Sequence, residues 1–166
     1  MVNMNEVEIL LVEDSPYDSE MALRALKENH LTNEVLVVRD GEEALDFLYA
    51  RGEYKDRDPK AKPKIILLDL KLPKVDGKEV LRTIKNDPDK KTIPVVVLTS
   101  SEEERDIMES YQLGVNSYIV KPVDFDKFVD AVRELGLYWL QRKIFKGGDL
   151  NGRAQDSYRR RPGSGC

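Results

Sequence analysis

The chain has 166 residues, 40% hydrophobic and 35% charged, with a formal net charge of -4 at pH 7, which suits one globular domain with a sizeable core and little more. The charge is uneven: after Lys143 the basic residues Lys146, Arg153, Arg159, Arg160 and Arg161 outnumber Asp149 and Asp156, so the body before them is acidic and ill-suited to general nucleic-acid binding. The only cysteine is the last residue, Cys166, which excludes an intramolecular disulfide or a CxxC metal site and fits a cytoplasmic protein; no apolar run approaches the roughly 18 residues of a membrane span, and residues 1–6 lack the basic and apolar regions of a leader.

Glu8-Ile9-Leu10-Leu11-Val12 is an apolar run closed by Glu13-Asp14 and reads as a first strand. Ser15 offers an N-cap hydroxyl and Pro16 suits the first helical position. Ala22, Leu23 and Leu26 then mark a helix running to about Asn29. His30, the only histidine, is placed at no strand end, so a nucleophile activated by histidine has no support. Residues 34–38 make a second strand. Asp40 caps a second helix, with Glu43 at the capping-box position, Ala44, Leu45 and Leu48 on its buried face and Gly52 at its end. Residues 52–64 are charged and contain Pro59 and Pro63, so they read as a solvated loop whose Tyr54 packs back on the helix.

Ile65-Ile66-Leu67-Leu68-Asp69 reads as a strand buried on both faces, as in a parallel sheet, with Asp69 at its carboxyl end. After a loop over residues 71–77, Val80, Leu81 and Ile84 mark a third helix stopped by Asp87-Pro88. Residues 93–98 form a fourth strand closed by Thr99-Ser100. Ser101 and Glu104 open a fourth helix, with Ile107, Met108 and Tyr111 facing inward and Gly114 as C-cap. The last strand, Ser117-Tyr118-Ile119-Val120, is closed by Lys121-Pro122. Asp124 caps a final helix whose Phe128, Val132, Leu135 and Trp139 recur at three and four, fading near Lys143. Strands alternating with helices specify an α/β fold, a parallel sheet with helices on both faces. Residues 7–143 form the domain, and residues 144–166, glycine-rich and basic, a flexible tail whose Arg-Pro-Gly-Ser-Gly-Cys end is like a cloning scar.

In a parallel sheet the carboxyl ends of the strands share one rim, so Glu13, Asp14, Asp69, Thr99 and Lys121 gather there. Crowded carboxylates raise one another's pKa unless a cation lies among them. Mg2+ fits such oxygen ligands and keeps positions open for phosphate oxygens. Three carboxylates, one Mg2+ and Lys121 balance to neutrality, so a dianionic phosphoryl group is admissible. Asp69 is then the nucleophile of a phosphoryl transfer, already ionised and needing no separate base, with Lys121 and Thr99 on phosphoryl oxygens. A hydrolase of this chemistry would want a second acid two residues on, where Lys71 stands, and a nucleotide-binding enzyme would want a glycine-rich turn after the first strand, where Glu13-Asp14-Ser15-Pro16 stands.

Glu13-Asp14, Leu68-Asp69-Leu70, Leu72-Pro73-Lys74-Val75-Asp76-Gly77, Leu98-Thr99-Ser100 and Tyr118-Ile119-Val120-Lys121-Pro122, in that order, resemble the receiver domain of two-component response regulators, over about residues 8–140. The resemblance implies a flavodoxin-like, CheY-like (βα)5 doubly wound sheet of five parallel strands in the order 2-1-3-4-5. It implies Asp69 as phosphoacceptor, Glu13 and Asp14 as Mg2+ carboxylates together with Asp69, and the Lys71 main-chain carbonyl as a further ligand. Thr99 and Tyr118 would be a switch pair, Lys121 the phosphate-binding lysine, and the bond before Pro122 cis. Glu13 stands where many members carry aspartate.

Residues 110–118 and 121–128, followed by Tyr138-Trp139-Leu140, are most similar to stand-alone receivers of the cyanobacterial phytochrome-partner type. That implies a sensor histidine kinase as phosphate donor and a signalling protein rather than an enzyme, with at most self-phosphorylation and self-dephosphorylation. Only about 23 residues follow Lys143, so the output is expected to be a changed surface, made by the fourth helix, last strand and last helix, that a downstream protein reads. Phe125, Phe128, Tyr138 and Trp139, with Phe145 beyond, exceed one buried stripe and point to a homodimer through the last helix. The alternative is a phosphate-independent receiver-like binding module.

Overall fold

The computed structural model describes residues 3–28, 35–100, 112–115 and 117–135. The apolar runs fold as strands β1 (Ile9–Val12), β2 (Val35–Val38), β3 (Ile65–Asp69), β4 (Val95–Thr99) and β5 (Ser117–Val120). The described helices are α1 (Pro16–Glu28), α2 (Gly41–Tyr49), α3 (Gly77–Lys85) and α4 (Phe125–Glu134). All strand pairs are parallel and the order is β2-β1-β3-β4-β5, as the motif resemblance implies. The helix expected over residues 101–111, His30, the aromatics Tyr138, Trp139 and Phe145, and the tail lie outside the described residues. No helix among the described residues is long and apolar enough to cross a membrane.

Alternation along each strand sorts the core into two layers. Ile9, Leu11, Ile65, Leu67, Val96, Leu98 and Ile119 pack with Ala22, Ala25 and Leu26 of α1 and Phe128 and Val132 of α4. Leu10, Val12, Ile66, Leu68, Val95 and Val97 pack with Ala44, Phe47 and Leu48 of α2 and Val80, Leu81 and Ile84 of α3. Because both faces are covered, β1, β3 and β4 are buried at every position, which is why they read as unbroken apolar runs. Phe128 belongs wholly to this core and Phe125 packs against it, so neither is a surplus aromatic.

The helix starts follow their capping residues. Ser15 Oγ accepts from Asp18 N at 3.2 Å, Asp40 Oδ1 from Glu43 N at 2.7 Å and Asp124 Oδ1 from Lys127 N at 2.9 Å. The end of α2 departs from expectation: Ala50, not Gly52, terminates it in the left-handed region at φ 54°. The loop that follows is anchored rather than solvated throughout. Arg57 is only 6% exposed; its guanidinium donates from Nε to Met4 O at 3.1 Å and to the carbonyls of Phe47 and Ala61, and lies 3.8 Å above the Phe47 ring. Tyr54 packs edge-on against Phe47 and donates to Glu43 Oε2 at 2.6 Å.

The segment after Asp69 is clamped between two helix starts. Gly77 N donates to Leu70 O at 3.1 Å, and a Cβ on Gly77 would lie 2.3 Å from Asp69 O. A Cβ on Gly41 would lie 1.9 Å from Val75 O. Only glycine admits the loop backbone so near either helix. Gly77→Ala and Gly41→Ala should each lower the unfolding free energy by about 2 kcal/mol or more through overpacking against main chain. Urea denaturation checks this, and wild-type midpoints would show that the loop yields instead.

Candidate functional site

Register puts the functional side chains on one level. Val12 pairs with Leu68, Asp69 with Leu98 and Thr99 with Val120, so Glu13, Asp69, Thr99 and Lys121 all arise at the carboxyl rim. Glu13 N continues the sheet by donating to Val38 O at 3.0 Å, and Lys121 N donates to Thr99 O at 2.7 Å. Glu13, Asp69 and Thr99 are buried, while Asp14 is exposed. The Lys121–Pro122 peptide bond is cis.

At the centre is the Lys121 ammonium. Its Nζ lies 2.6 Å from Glu13 Oε1, 2.9 Å from Asp69 Oδ2 and 3.1 Å from Asp18 Oδ2. Asp69 Oδ1 accepts the Lys71 N–H at 3.0 Å, which fixes the carboxylate plane. Glu13 Oε2 accepts from Ser15 N at 3.2 Å. Glu13 Oε1 is buried and has no aligned hydrogen bond, despite the nearness of the ammonium. Carboxylate oxygens of Glu13, Asp14 and Asp69 lie within 4.8 Å of one another. Three hard oxygen donors this close together fit a divalent cation. Lys71 is held at the rim by its N–H. Tyr118 is 38% exposed on β5, opposite Val97 in register, whereas Thr99 is buried at the end of β4.

Asp18 is the residue that strand-end reasoning misses, because it belongs to the first turn of α1. A signal was available: α1 starts two residues after the rim, so an acid in its first turn lies close to the rim. It alters the charge balance. Four carboxylates against Lys121 and one divalent cation leave one net negative charge, not the neutrality expected from three.

Burial, aided by the hydrogen bond and charge of Asp69 and opposed by Lys121 and the Ser15 N–H, pushes the Glu13 carboxyl up to about 7. Lys121 is also pushed up: burial alone would depress it, but Glu13 and Asp69 together outweigh burial.

Residues 9–133 match the family model of the response regulator receiver domain. The chain is 45% identical over 133 residues to response regulator Rcp1 of Synechocystis sp., covering 80% of this chain and 88% of that protein. The solved structure of the bacteriophytochrome response regulator RtBRR is similar at a TM-score of 0.72 and 54% identity, covering 77% of this chain and 76% of that one. The Mn2+-bound form of Rcp1 is similar at a TM-score of 0.65 and 45% identity, covering 80% of this chain and 93% of that one.

The raised Glu13 pKa fixes the sign of a stability effect. Without a divalent cation, the folded protein keeps a proton on Glu13 between 4.5 and about 7 while the unfolded chain has lost it, so stability falls as pH rises through that window. Glu13→Gln should flatten this slope and raise cation-free stability near pH 8 by about 1–3 kcal/mol. Melting in a chelator at about pH 5 and pH 8 measures it, and a variant no more stable than wild type at the higher pH refutes it.

Proposed function

The chain belongs to the response regulator receiver family, and on that premise we propose that it acts in a two-component phosphorelay, taking a phosphoryl group on Asp69 from the histidine of a cytoplasmic sensor kinase. The observation that carries this reading is the Lys121 ammonium 2.9 Å from Asp69 Oδ2, at a rim where Glu13 and Asp14 stand close enough to share a cation with Asp69. Kinship with a bacteriophytochrome response regulator favours a phytochrome-like kinase as donor.

The transfer needs positioning and charge more than acid or base. An Asp69 carboxylate oxygen forms a bond to phosphorus as the P–N bond of the donor phosphohistidine breaks. The electron pair stays on the imidazole nitrogen, and with the other ring nitrogen protonated the leaving group is neutral imidazole. Asp69 is held in plane by the Lys71 N–H and is already anionic, so no proton has to be removed from it. Lys121 neutralises one phosphoryl oxygen and the Thr99 hydroxyl donates to another. Glu13, Asp14, Asp69 and the Lys71 main-chain carbonyl would hold Mg2+, which when bound supplies further neutralisation of the phosphoryl oxygens.

The phosphorylated form signals by shape. Thr99 is drawn toward the phosphoryl group, Tyr118 turns inward from its half-exposed position, and the face around β5 and α4 changes for a downstream protein. A coupling of about 1–3 kcal/mol is typical of such switches. Homodimerisation through the last helix rests on Tyr138, Trp139 and Phe145, since Phe125 and Phe128 are engaged by the core. A phosphate-independent binding module is the weaker reading, because it would have no use for a buried lysine shared among site carboxylates.

Incubation with a small acyl phosphate and Mg2+ should add one acid-stable, base-labile phosphoryl group, absent in Asp69→Asn and formed about 10- to 1,000-fold more slowly in Lys121→Ala. Mass spectrometry reads the adduct. An unlabelled wild type would favour the binding module. In the labelled protein, NMR should report a Tyr118 rotamer shift that Thr99→Ala suppresses; unchanged Tyr118 signals would remove the switch.

A further inference from the structure

The Lys121 ammonium makes two aligned side-chain hydrogen bonds, to Asp69 Oδ2 at 2.9 Å and to Asp18 Oδ2 at 3.1 Å. Its third carboxylate neighbour, Glu13 Oε1, is near but not aligned. Asp18 is unlike the other two. It is outside the cluster whose oxygens converge for a cation, which among the described residues is Glu13, Asp14 and Asp69. Its own backbone is fixed, since its N–H donates to Ser15 Oγ at 3.2 Å. It joins α1 to the end of β5 across 103 residues of sequence.

Phosphoryl transfer changes the partners of Lys121 unequally. Conversion to an acyl phosphate replaces the carboxylate charge of Asp69 with that of the new phosphoryl oxygens, and a cation among the converging oxygens would draw on the charge of Glu13. Asp18 takes part in neither event and keeps its full charge. The Lys121 side chain is only 10% exposed, so water is a poor substitute for a lost partner. An ammonium on a four-carbon stem with several free torsions, left without an anchor, would sample positions away from the new phosphoryl oxygens.

We propose that Asp18 is a positioning residue, an anchor that holds the Lys121 ammonium over Asp69 while that carboxylate becomes an acyl phosphate. The inference rests on the phosphoacceptor reading above and extends it: the family's charge set is tuned in this chain by a helix residue that touches neither phosphorus nor metal. A merely structural Asp18 would staple α1 to β5 and affect melting, but would leave the rate at saturating donor alone. A positioning Asp18 acts on that rate.

The test uses the full chain, acetyl phosphate and Mg2+, with Asp18→Ala, Asp18→Asn and Asp18→Glu. At saturating donor and cation, Asp18→Ala should label Asp69 about 10-fold or more slowly than wild type, with the half-saturating Mg2+ concentration changed less than about twofold. Asp18→Glu should recover part of the rate and Asp18→Asn less, ordering the series by charge. The ammonium of Lys121 should give a protected proton–nitrogen NMR signal in the wild type, weakened by exchange in Asp18→Ala. Equal labelling rates in Asp18→Ala and wild type, or a deficit cured by more Mg2+, overturn this inference alone. A wild type that takes no label overturns the phosphoacceptor reading and this inference together. Asp18 is 29% exposed at the surface of α1, so its replacement leaves the core intact, and Asp18→Asn, which preserves the side-chain shape, controls for any loosening of the helix start in Asp18→Ala.

Discussion

One ammonium among four carboxylates is the constraint on which the rest depends. Left alone, Glu13, Asp14, Asp18 and Asp69 would repel one another, and burial makes the charges of Glu13 and Asp69 costlier. Lys121 offsets part of that cost by contact with three of them at once. It does not offset all of it, which is why Glu13 holds its proton to about 7. The site is under electrostatic tension that a small cation relieves, and a tension of this kind is useful in a switch: the arrangement is sensitive to any event that changes the charge count by one.

The sheet makes the tension affordable. Because the strands are parallel and in register, Glu13 and Asp69, 56 positions apart along the chain, close adjacent strands, and the long Lys121 side chain, 52 positions after Asp69, reaches them past the end of β4. The two apolar layers on either side of the sheet supply the favourable free energy that a cluster of buried charges consumes. Gly41 and Gly77 then bring the segment after Asp69 close to α2 and α3, so that the Lys71 N–H meets the Asp69 carboxylate. Packing, register and backbone approach thus converge on the orientation of one oxygen pair.

Much of this was legible from residues alone. Strands buried on both faces betray themselves as unbroken apolar runs, and a parallel sheet puts whatever closes those runs on a common rim, so Glu13, Asp14, Asp69, Thr99 and Lys121 could be grouped before any coordinate. What escaped depends on three-dimensional detail that periodicity does not encode. Asp18 is hidden because a helix turn, not a strand end, delivers it. Arg57 is hidden because a charged residue in a proline-bearing loop looks solvated, and only the fold reveals stranded carbonyls for it to bond. Ala50 displaced Gly52 as the end of α2 because nearby partners for the last helical carbonyls outweighed the ordinary preference for glycine.

Arg57 ties together pieces that chain connectivity keeps apart: the turn before β1 through Met4, the end of α2 through Phe47, and its own loop through Ala61. Other contacts reinforce the tie: Asp58 N donates to Asn5 Oδ1 at 2.9 Å, and Tyr54 of the loop bonds Glu43 and packs on Phe47 of α2. With these links in place, amide hydrogens in the leading segment and in the loop are expected to exchange with solvent together, as one local opening unit at the amino-terminal side of the sheet. An opening of that unit would leave the opposite rim, with Glu13, Asp69 and Lys121, in place.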